Sequence, residues 1–249
     1  MSLLVFSFYY TEKIVLMVEQ KNPVLKKIKE NKDAYTIKAV DATVMNEYII
    51  PGISGSSVNV NKSFYNMKEL NTFNEYYLVY DDVRPTISVE DNKDKIIISG
   101  NKSIKNISIV IEYDEKLINL LANYDVNLIV TKDTYNKNLD YELLNGEVNE
   151  NEFKQLNTLL NNDKLNSEIC LVNENNKKTC TELKYYLVKY THILTNNLID
   201  IKSNIDSGDI IFIDKDASIS DIKILLKQIK FQDLNIVPLS TLINETQKQ

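Results

Sequence analysis

Hydrophobic and polar positions change rhythm near the middle of the chain. In the first half the segments are short and mixed. The stretch NPVLKKIKENKDAY (Asn22 to Tyr35) puts Val24, Leu25 and Ile28 on one face with lysines opposite, which predicts a short amphipathic helix with Pro23 in its first turn. TIKAVDATVMNEYIIPG alternates and is rich in β-branched residues, and it predicts two short strands broken by Pro51-Gly52. VNKSFYNMKEL (Val60 to Leu70) reads as helical and NEYYLVY (Asn74 to Tyr80) as a strand. Arg84-Pro85 breaks that strand, TISVED and KIIISG follow as further strands, and Gly100 opens a polar connector, NKSIKN. A domain boundary near residue 103 follows from this.

The second half is more regular. ISIVIEY (Ile107 to Tyr113) is a continuous apolar strand, and EKLINLLANY (Glu115 to Tyr124) is a helix with Leu117, Leu120 and Leu121 inward. VNLIVT (Val126 to Thr131) is a strand again. Strand, helix and strand with short links form a βαβ unit, which implies a parallel sheet covered by helices. The pattern returns as GDIIFI (Gly208 to Ile213), SISDIKILLKQIK (Ser218 to Lys230) and NIVPLSTLI. Ser218 with Asp221 three residues on is a capping-box-like start for that helix. No repeat of fixed period runs through the sequence, so a solenoid is not expected.

Composition narrows the classes of function. With 43% hydrophobic and 26% charged residues the chain is an ordinary globular one. Its 249 residues suffice for one large domain or two modest ones. A net charge of −6 and the lack of a basic, aromatic-interleaved patch argue against nucleic acid as a partner. Gly52 and Gly55 make a turn and not a phosphate loop, because no Lys-Ser or Lys-Thr pair follows. Cys170 and Cys180 are too few for a disulfide framework and lack metal spacing. Two free thiols are the simpler reading, with a single bridge as the alternative for an exported protein. The apolar run MSLLVFSFYY is interrupted by Glu12 and Lys13 at about half of the ~20 residues that span a bilayer. Residues 1–20 are therefore either the remnant of a membrane anchor or a buried strand or short helix.

The order and wording of the second half resemble the polysaccharide deacetylase family, the NodB-homology (β/α) barrel. ISIVIEYDE stands where the family has its first barrel strand, and LINLLANYDVNLIV is similar to the helix and second strand that follow. SGDIIFIDKDASISDIKILLKQIKFQDLNIVPLSTLI is similar to the family's last units. IIPG, NKSFYNMKEL and NEYYLVYDDVRP look like an accessory region that precedes divergent barrels in some Firmicutes members. The resemblance implies a small mixed α+β N-terminal domain at residues 21–103 and an incomplete or degenerate (β/α) barrel at 106–245. At about 140 residues that barrel is shorter than the roughly 200 or more of a full eight-stranded one.

The same resemblance implies a chemistry and shows what is missing from it. The family removes acetyl groups from sugars with a divalent metal held by an aspartate and two histidines one helical turn apart. The metal lowers its bound water's pKa to roughly 7. A second aspartate acts as base, a late histidine as acid, and an arginine orients the base. Here the aspartate pair falls on Glu112-Tyr113, or on Asp114-Glu115 in a slipped register. The region Asn138 to Phe153 holds no histidine, Arg84 lies upstream of the barrel, and the late histidine position holds Asp214 followed by Lys215. His192 is the sole histidine and matches none of the family's positions. No catalytic residue and no metal ligand is therefore assigned. Glu112, Asp114, Glu115 and Asp214 remain as residual-cleft candidates, which as an all-carboxylate set could hold Mg²⁺ or Ca²⁺. His192 reads as a core or edge residue, since no partner for it is visible. The tyrosines, including Tyr76, Tyr77, Tyr80, Tyr185, Tyr186 and Tyr190, read mainly as half-buried core, although exposed rings could stack on sugars. The expected protein is an extracytoplasmic envelope protein without catalysis or cofactor, binding cell-wall glycan or an envelope protein, with N-terminal membrane association open. The alternative is a carbohydrate deacetylase that uses a divalent metal on rearranged carboxylates.

Overall fold

The computed structural model describes residues 21–195 and 205–246; the apolar run at residues 1–20, with both readings made of it, lies outside them. In chain order the helices are α1 (Pro23–Asn31), α2 (Val60–Met67), α3 (Glu115–Leu120), α4 (Glu150–Asn162), α5 (Lys177–Glu182), α6 (Ile219–Phe231) and α7 (Leu239–Leu242). The strands begin with β1 (Thr43–Met45), β2 (Tyr48–Ile50), β3 (Gly55–Val58), β4 (Tyr80–Val83) and β5 (Ile96–Ile97). They continue with β6 (Asn106–Glu112), β7 (Asn127–Val130), β8 (Glu142–Asn145), β9 (Ile169–Leu171), β10 (Tyr186–Val188), β11 (His192–Leu194), β12 (Ile210–Ile213) and β13 (Asn235–Ile236).

The described residues fall into two compact units, 21–40 with 54–84 and 41–53 with 85–246. The position near 103 therefore lies inside the larger unit. The reason is strand pairing: β2 and β5 run parallel to each other, and β5 runs parallel to β10, so residues 41–53 and 85–103 belong to the larger sheet.

In the smaller unit α1 forms as its pattern predicts. Asn22 caps it by accepting the Val24 N–H, and Val24, Leu25 and Ile28 are buried with Phe64 and Met67 of α2. Each of these side chains contributes about 1.5–3 kcal/mol by leaving water. β3 and β4 pair antiparallel from Gly55–Val83 to Val58–Tyr80. Gly55 is required there, because a Cβ would lie 2.1 Å from the Ile37 carbonyl oxygen, where Ile37 bridges Ser56.

Three expected strands differ. The break between β1 and β2 is a turn at Asn46, which adopts φ 53°, and both strands precede Pro51. Residues 74–80 form a 3₁₀ turn (Glu75–Tyr77), because the Asn74 side chain accepts the Tyr76 N–H and turns the backbone; only Tyr80 enters a strand. TISVED likewise turns, with Ser88 Oγ accepting the Asp91 N–H ahead of a 3₁₀ turn at Glu90–Asn92.

In the larger unit β12, β6, β7 and β8 are parallel neighbours, as are β9 and β10, and β11 and β12. A parallel bridge from Leu143 to Asn166 links β8 to the start of β9. The chain passes from β10 to β11 through residues 189–191: the Lys189 N–H donates to Ile97 of β5, and the Thr191 N–H donates to Ile210 of β12. Following these links, β6, β7, β8, β9, β10–β11 and β12 succeed one another and return to β6. Helices α3, α4 and α6 cover one side through Leu117, Leu156, Leu160, Ile222, Leu225 and Ile229. The other side holds Val110, Leu144, Ile169, Val188, Ile210 and Phe212.

The chain's C-terminal stretch packs into this second cluster with Leu239, Leu242 and Ile243. Polar side chains on three adjacent strands hold it. Ser108 Oγ donates to the Val237 carbonyl at 2.5 Å, and Asn127 accepts the Leu239 N–H at 2.7 Å while donating to the Ile109 carbonyl at 2.8 Å. Glu142 accepts the Ser240 hydroxyl at 2.6 Å and its N–H at 3.1 Å. Buried Glu245 then accepts the N–H groups of Gly52 and Val89, tying in the residues after β2 and before β5. Gly208 (φ 88°) and Gly100 meet backbone to backbone, the Gly100 N–H donating to the Gly208 carbonyl at 2.7 Å.

Cys170 and Cys180 are joined in a disulfide, contrary to the simpler expectation of free thiols. Strand β9 and helix α5 bring the two to the same buried cluster with Phe153 and Leu187, an arrangement their spacing of ten residues does not disclose.

Two outcomes follow from this packing. Replacing both cysteines by serine is expected to cost about 3 kcal/mol, because the closed loop no longer limits the unfolded chain. Urea unfolding with and without reductant checks it: the wild type loses that stability on reduction and the double variant is indifferent, whereas equal midpoints throughout would refute it. Asn127→Ala leaves a buried N–H and a buried carbonyl without partners and is expected to cost about 2–4 kcal/mol. An unfolding midpoint within error of the wild type would refute that.

Candidate functional site

Side chains alternate along a strand, so the registers fix what meets at each end of the parallel strands. Val110 pairs with Phe212, and Ile111 with Ile213. One residue beyond these pairs stand Glu112, which ends β6, and Asp214, which directly follows β12; alternation along β6 sets Glu112 on the side of Val110. Tyr190, in the kink before β11, stacks on Phe212 with centroids 4.9 Å apart and planes inclined by 24°. Burial pushes the Tyr190 phenol well above its ordinary value, and the Glu112 carboxylate raises it further. Glu112 and the stacked aromatic pair thus stand at one mouth, with Asp214 at the end of the adjacent strand. Asp214 Oδ1 accepts the Asp216 N–H at 2.9 Å, which fixes the turn that follows β12.

The other two candidate carboxylates do different work. Asp114 caps α3, its Oδ1 accepting the Leu117 N–H at 2.9 Å. Glu115 is exposed in the first turn of that helix. The region expected to carry two histidines supplies β8, Gly146 and the start of α4, and a Cβ on Gly146 would lie 2.4 Å from Ile129 Cγ2.

His192 has the partner that the sequence did not reveal. Its Nε2 lies 3.2 Å from Asp209 Oδ2, and that oxygen also accepts the Asp206 N–H at 2.7 Å. Asp209 is 3% exposed, and desolvation holds its carboxyl above the usual range despite the hydrogen bonds and the histidine. The signal was the position of Asp209 just before the apolar run IIFI, where a strand-start carboxylate has to find a partner. Asp209 and Asp214 flank β12 at opposite ends, roughly 16 Å apart at ~3.3 Å per residue. His192 therefore does not join the mouth.

These residues do not fit a metal held by an aspartate and two histidines. Among the described residues no three of His, Cys, Asp or Glu come together closely enough to hold an ion. Glu112 and Asp214 offer two carboxylates and no imidazole, so the mouth can accept hydrogen bonds and stack a ring.

At the amino ends of β7 and β8 lies a second cleft of about 450 Å³, lined in part by Tyr124, Asp125, Asp140, Tyr141 and Glu142. Burial raises the Glu142 carboxyl, partly offset by Ser240. The tyrosines divide: Tyr185 is buried with its hydroxyl on Asn157, Tyr186 donates to Glu90, and Tyr76, Tyr77 and Tyr80 are exposed. No described helix is long and apolar enough to cross a membrane.

No family model matches the sequence. Among curated proteins, the uncharacterized protein YlxY of Bacillus subtilis strain 168 is 28% identical over 119 residues, 45% of this chain and 37% of that protein. The match thus spans little more than a third of the relative's length. Among solved structures, the chain is similar to a CE4 family pseudoenzyme from Bacillus anthracis, with TM-score 0.56 and 15% identity over 90% of this chain and 96% of that one. A CE4 pseudoenzyme mutant with restored enzymatic activity gives TM-score 0.57 at 15% identity, covering 90% of this chain and 99% of that one. The chain shares the fold of these deacetylase-like proteins.

The buried carboxyls give a signed prediction. Asp209, Glu142 and Glu245 all have folded values raised above the unfolded ones, chiefly by burial. The folded state then keeps protons that the unfolded chain has lost, so stability is fullest below the ordinary carboxylate range and falls as pH rises through the raised values. Unfolding free energy from urea titrations is expected to decline between mildly acidic and neutral pH, and Glu142→Gln to flatten that decline. A rise over the same interval would contradict it.

Proposed function

We propose that this protein is a non-catalytic binding protein of the cell envelope that holds a glycan at the mouth of its deacetylase-like fold. One observation carries the reading: the mouth joins a stacked Tyr190–Phe212 pair to Glu112 and Asp214, while the one histidine sits at the other end of β12. Aromatic faces match the apolar faces of sugar rings, and carboxylates accept their hydroxyl protons. His192, the one imidazole, is on Asp209 and not beside Glu112 and Asp214 to hold a metal that would bring a bound water's pKa to neutrality, which supports binding over hydrolysis. The buried disulfide supports an oxidising compartment, and the envelope is where a glycan polymer and such a compartment coincide.

The adjacency of Glu112 and Asp214 also favours a second reading, in which the pair acts as an acid and a base on an acetylated sugar. One assay separates the two. Purified protein is incubated with acetylated chitooligosaccharides, with and without Zn²⁺, and both acetate release and binding are followed. The binding reading expects no acetate above background, and an affinity about five- to tenfold weaker in Glu112→Ala/Asp214→Ala with the melting temperature nearly unchanged. Acetate release that disappears in Asp214→Asn would replace binding by hydrolysis.

A further inference from the structure

Helix α6 buries one face and leaves the other without a partner. Ile222, Leu225 and Ile229 pack into the core of the larger unit. Ile219, Lys223, Ile224, Lys227, Lys230 and Phe231 are exposed. At about 100° per residue these six fall within roughly 140° of the helix circumference, so they share one face. Three of them are large and apolar: Phe231 is 86% exposed, Ile219 38% and Ile224 37%. The other three are lysines, and among the described residues none of them takes part in an ion pair. No carboxylate of the helix shares that face, since Asp221 is half-buried and by the same spacing lies on the flank turned toward the core. Asp216 stands in the turn before the helix, and Asp233, beyond its end, is 2.9 Å from Lys105 Nζ. In a chain of net charge −6 the outer face of α6 is thus a local reversal of sign, with apolar side chains set among the cations.

An occupant has to satisfy both chemistries at once. A dissolved phosphate polymer would neutralise the lysines and leave Ile224 and Phe231 in water. An uncharged apolar surface would cover those two and strip water from the ammonium groups without an answering charge. An anionic phospholipid surface supplies both, with headgroup phosphates outermost and acyl chains just beneath. Lysine suits such a boundary, because its stem lies along apolar surface while its ammonium group stays at the headgroups. With 13 residues α6 is about 20 Å long at 1.5 Å per residue, too short to cross a bilayer and able to lie in its plane. We infer that the outer face of α6 is a docking surface for an anionic phospholipid membrane. It lies wholly within the larger unit and does not rest on the glycan reading of the mouth.

Co-sedimentation of the full chain with lipid vesicles tests the assignment. Vesicles of phosphatidylglycerol and phosphatidylcholine in equal parts are expected to bind at least about tenfold more tightly than vesicles of phosphatidylcholine alone. Lys223→Gln/Lys227→Gln/Lys230→Gln is expected to weaken that binding about a hundredfold, each lysine accounting for roughly fivefold. Ile224→Ser/Phe231→Ser should weaken it about tenfold or more. All five positions are exposed, and a melting temperature near that of the wild type shows that the fold is kept. The chain has no tryptophan, so Phe231→Trp places a single indole on the face. Its emission is expected to shift to the blue with the anionic vesicles. Binding that survives the triple lysine variant, as the apolar run at residues 1–20 would give, overturns the inference, and so does equal binding to pure phosphatidylcholine. Lysine-dependent binding that ignores Ile224→Ser/Phe231→Ser and brings no blue shift would assign the face to a soluble polyanion. Binding of polyglutamate without binding of vesicles would assign it to an acidic polypeptide. Either result overturns the membrane assignment, as does a wild type that binds neither kind of vesicle.

Discussion

The larger unit depends on how its C-terminal stretch is held. Ser108, Asn127 and Glu142 stand on three neighbouring parallel strands and meet the backbone from Val237 to Ser240. Asn127 is fully buried and satisfied on both sides of its amide, so it cannot be replaced by an apolar residue without leaving a donor and an acceptor bare. Glu245, a few residues on, extends the same clamp to Gly52 and Val89. Residues far apart in sequence are thereby fixed to one end of the strands, and this leaves the opposite end, with Glu112 and Asp214, as the face on which binding chemistry can stand.

The two ends differ in electrostatics as well as in place. At the amino ends buried carboxyls are each answered by N–H or O–H donors, and their raised values are the residue of burial that those donors do not fully offset. At the carboxyl ends Glu112 is exposed, and Asp214 accepts only the N–H of the turn that follows it, close to the stacked Tyr190 and Phe212. A fold that accelerates acetyl hydrolysis needs imidazole and a positioned cation there. Here the one imidazole is committed to Asp209. The scaffold is set by core and strand registers, and likeness of fold to a CE4 pseudoenzyme is compatible with a site in which, among the described residues, no three of His, Cys, Asp or Glu come together.

Much of the fold was legible because its signals are local. The run ISIVIEY, the apolar positions of α3 and α6, and the Ser218 cap each specify an element from adjacent residues alone. The failures came where a side chain overruled propensity or a distant residue supplied the partner. NEYYLVY has strand composition, yet Asn74 turns it, and the tyrosines expected to fill a core stand in solvent. The pair His192–Asp209 and the bridge Cys170–Cys180 depend on the β10–β11 kink and on the packing of α5. Spacing in sequence carries neither. At the mouth, Glu112 and Asp214 were identifiable as strand-end carboxylates, but their adjacency required the β6–β12 register, and the Tyr190–Phe212 stack gave no signal in sequence.

The central proposal is that this deacetylase-like fold holds no metal, since among the described residues no three donors come together. Metal content by mass spectrometry, on protein purified after Zn²⁺ supplementation and paired with a metal-dependent thermal shift, tests it most directly. The account predicts no stoichiometric metal and no shift. One equivalent of bound metal with a clear stabilisation would contradict it, and would mean that Glu112, Asp214 or His192 takes part in a site whose geometry differs from the one described.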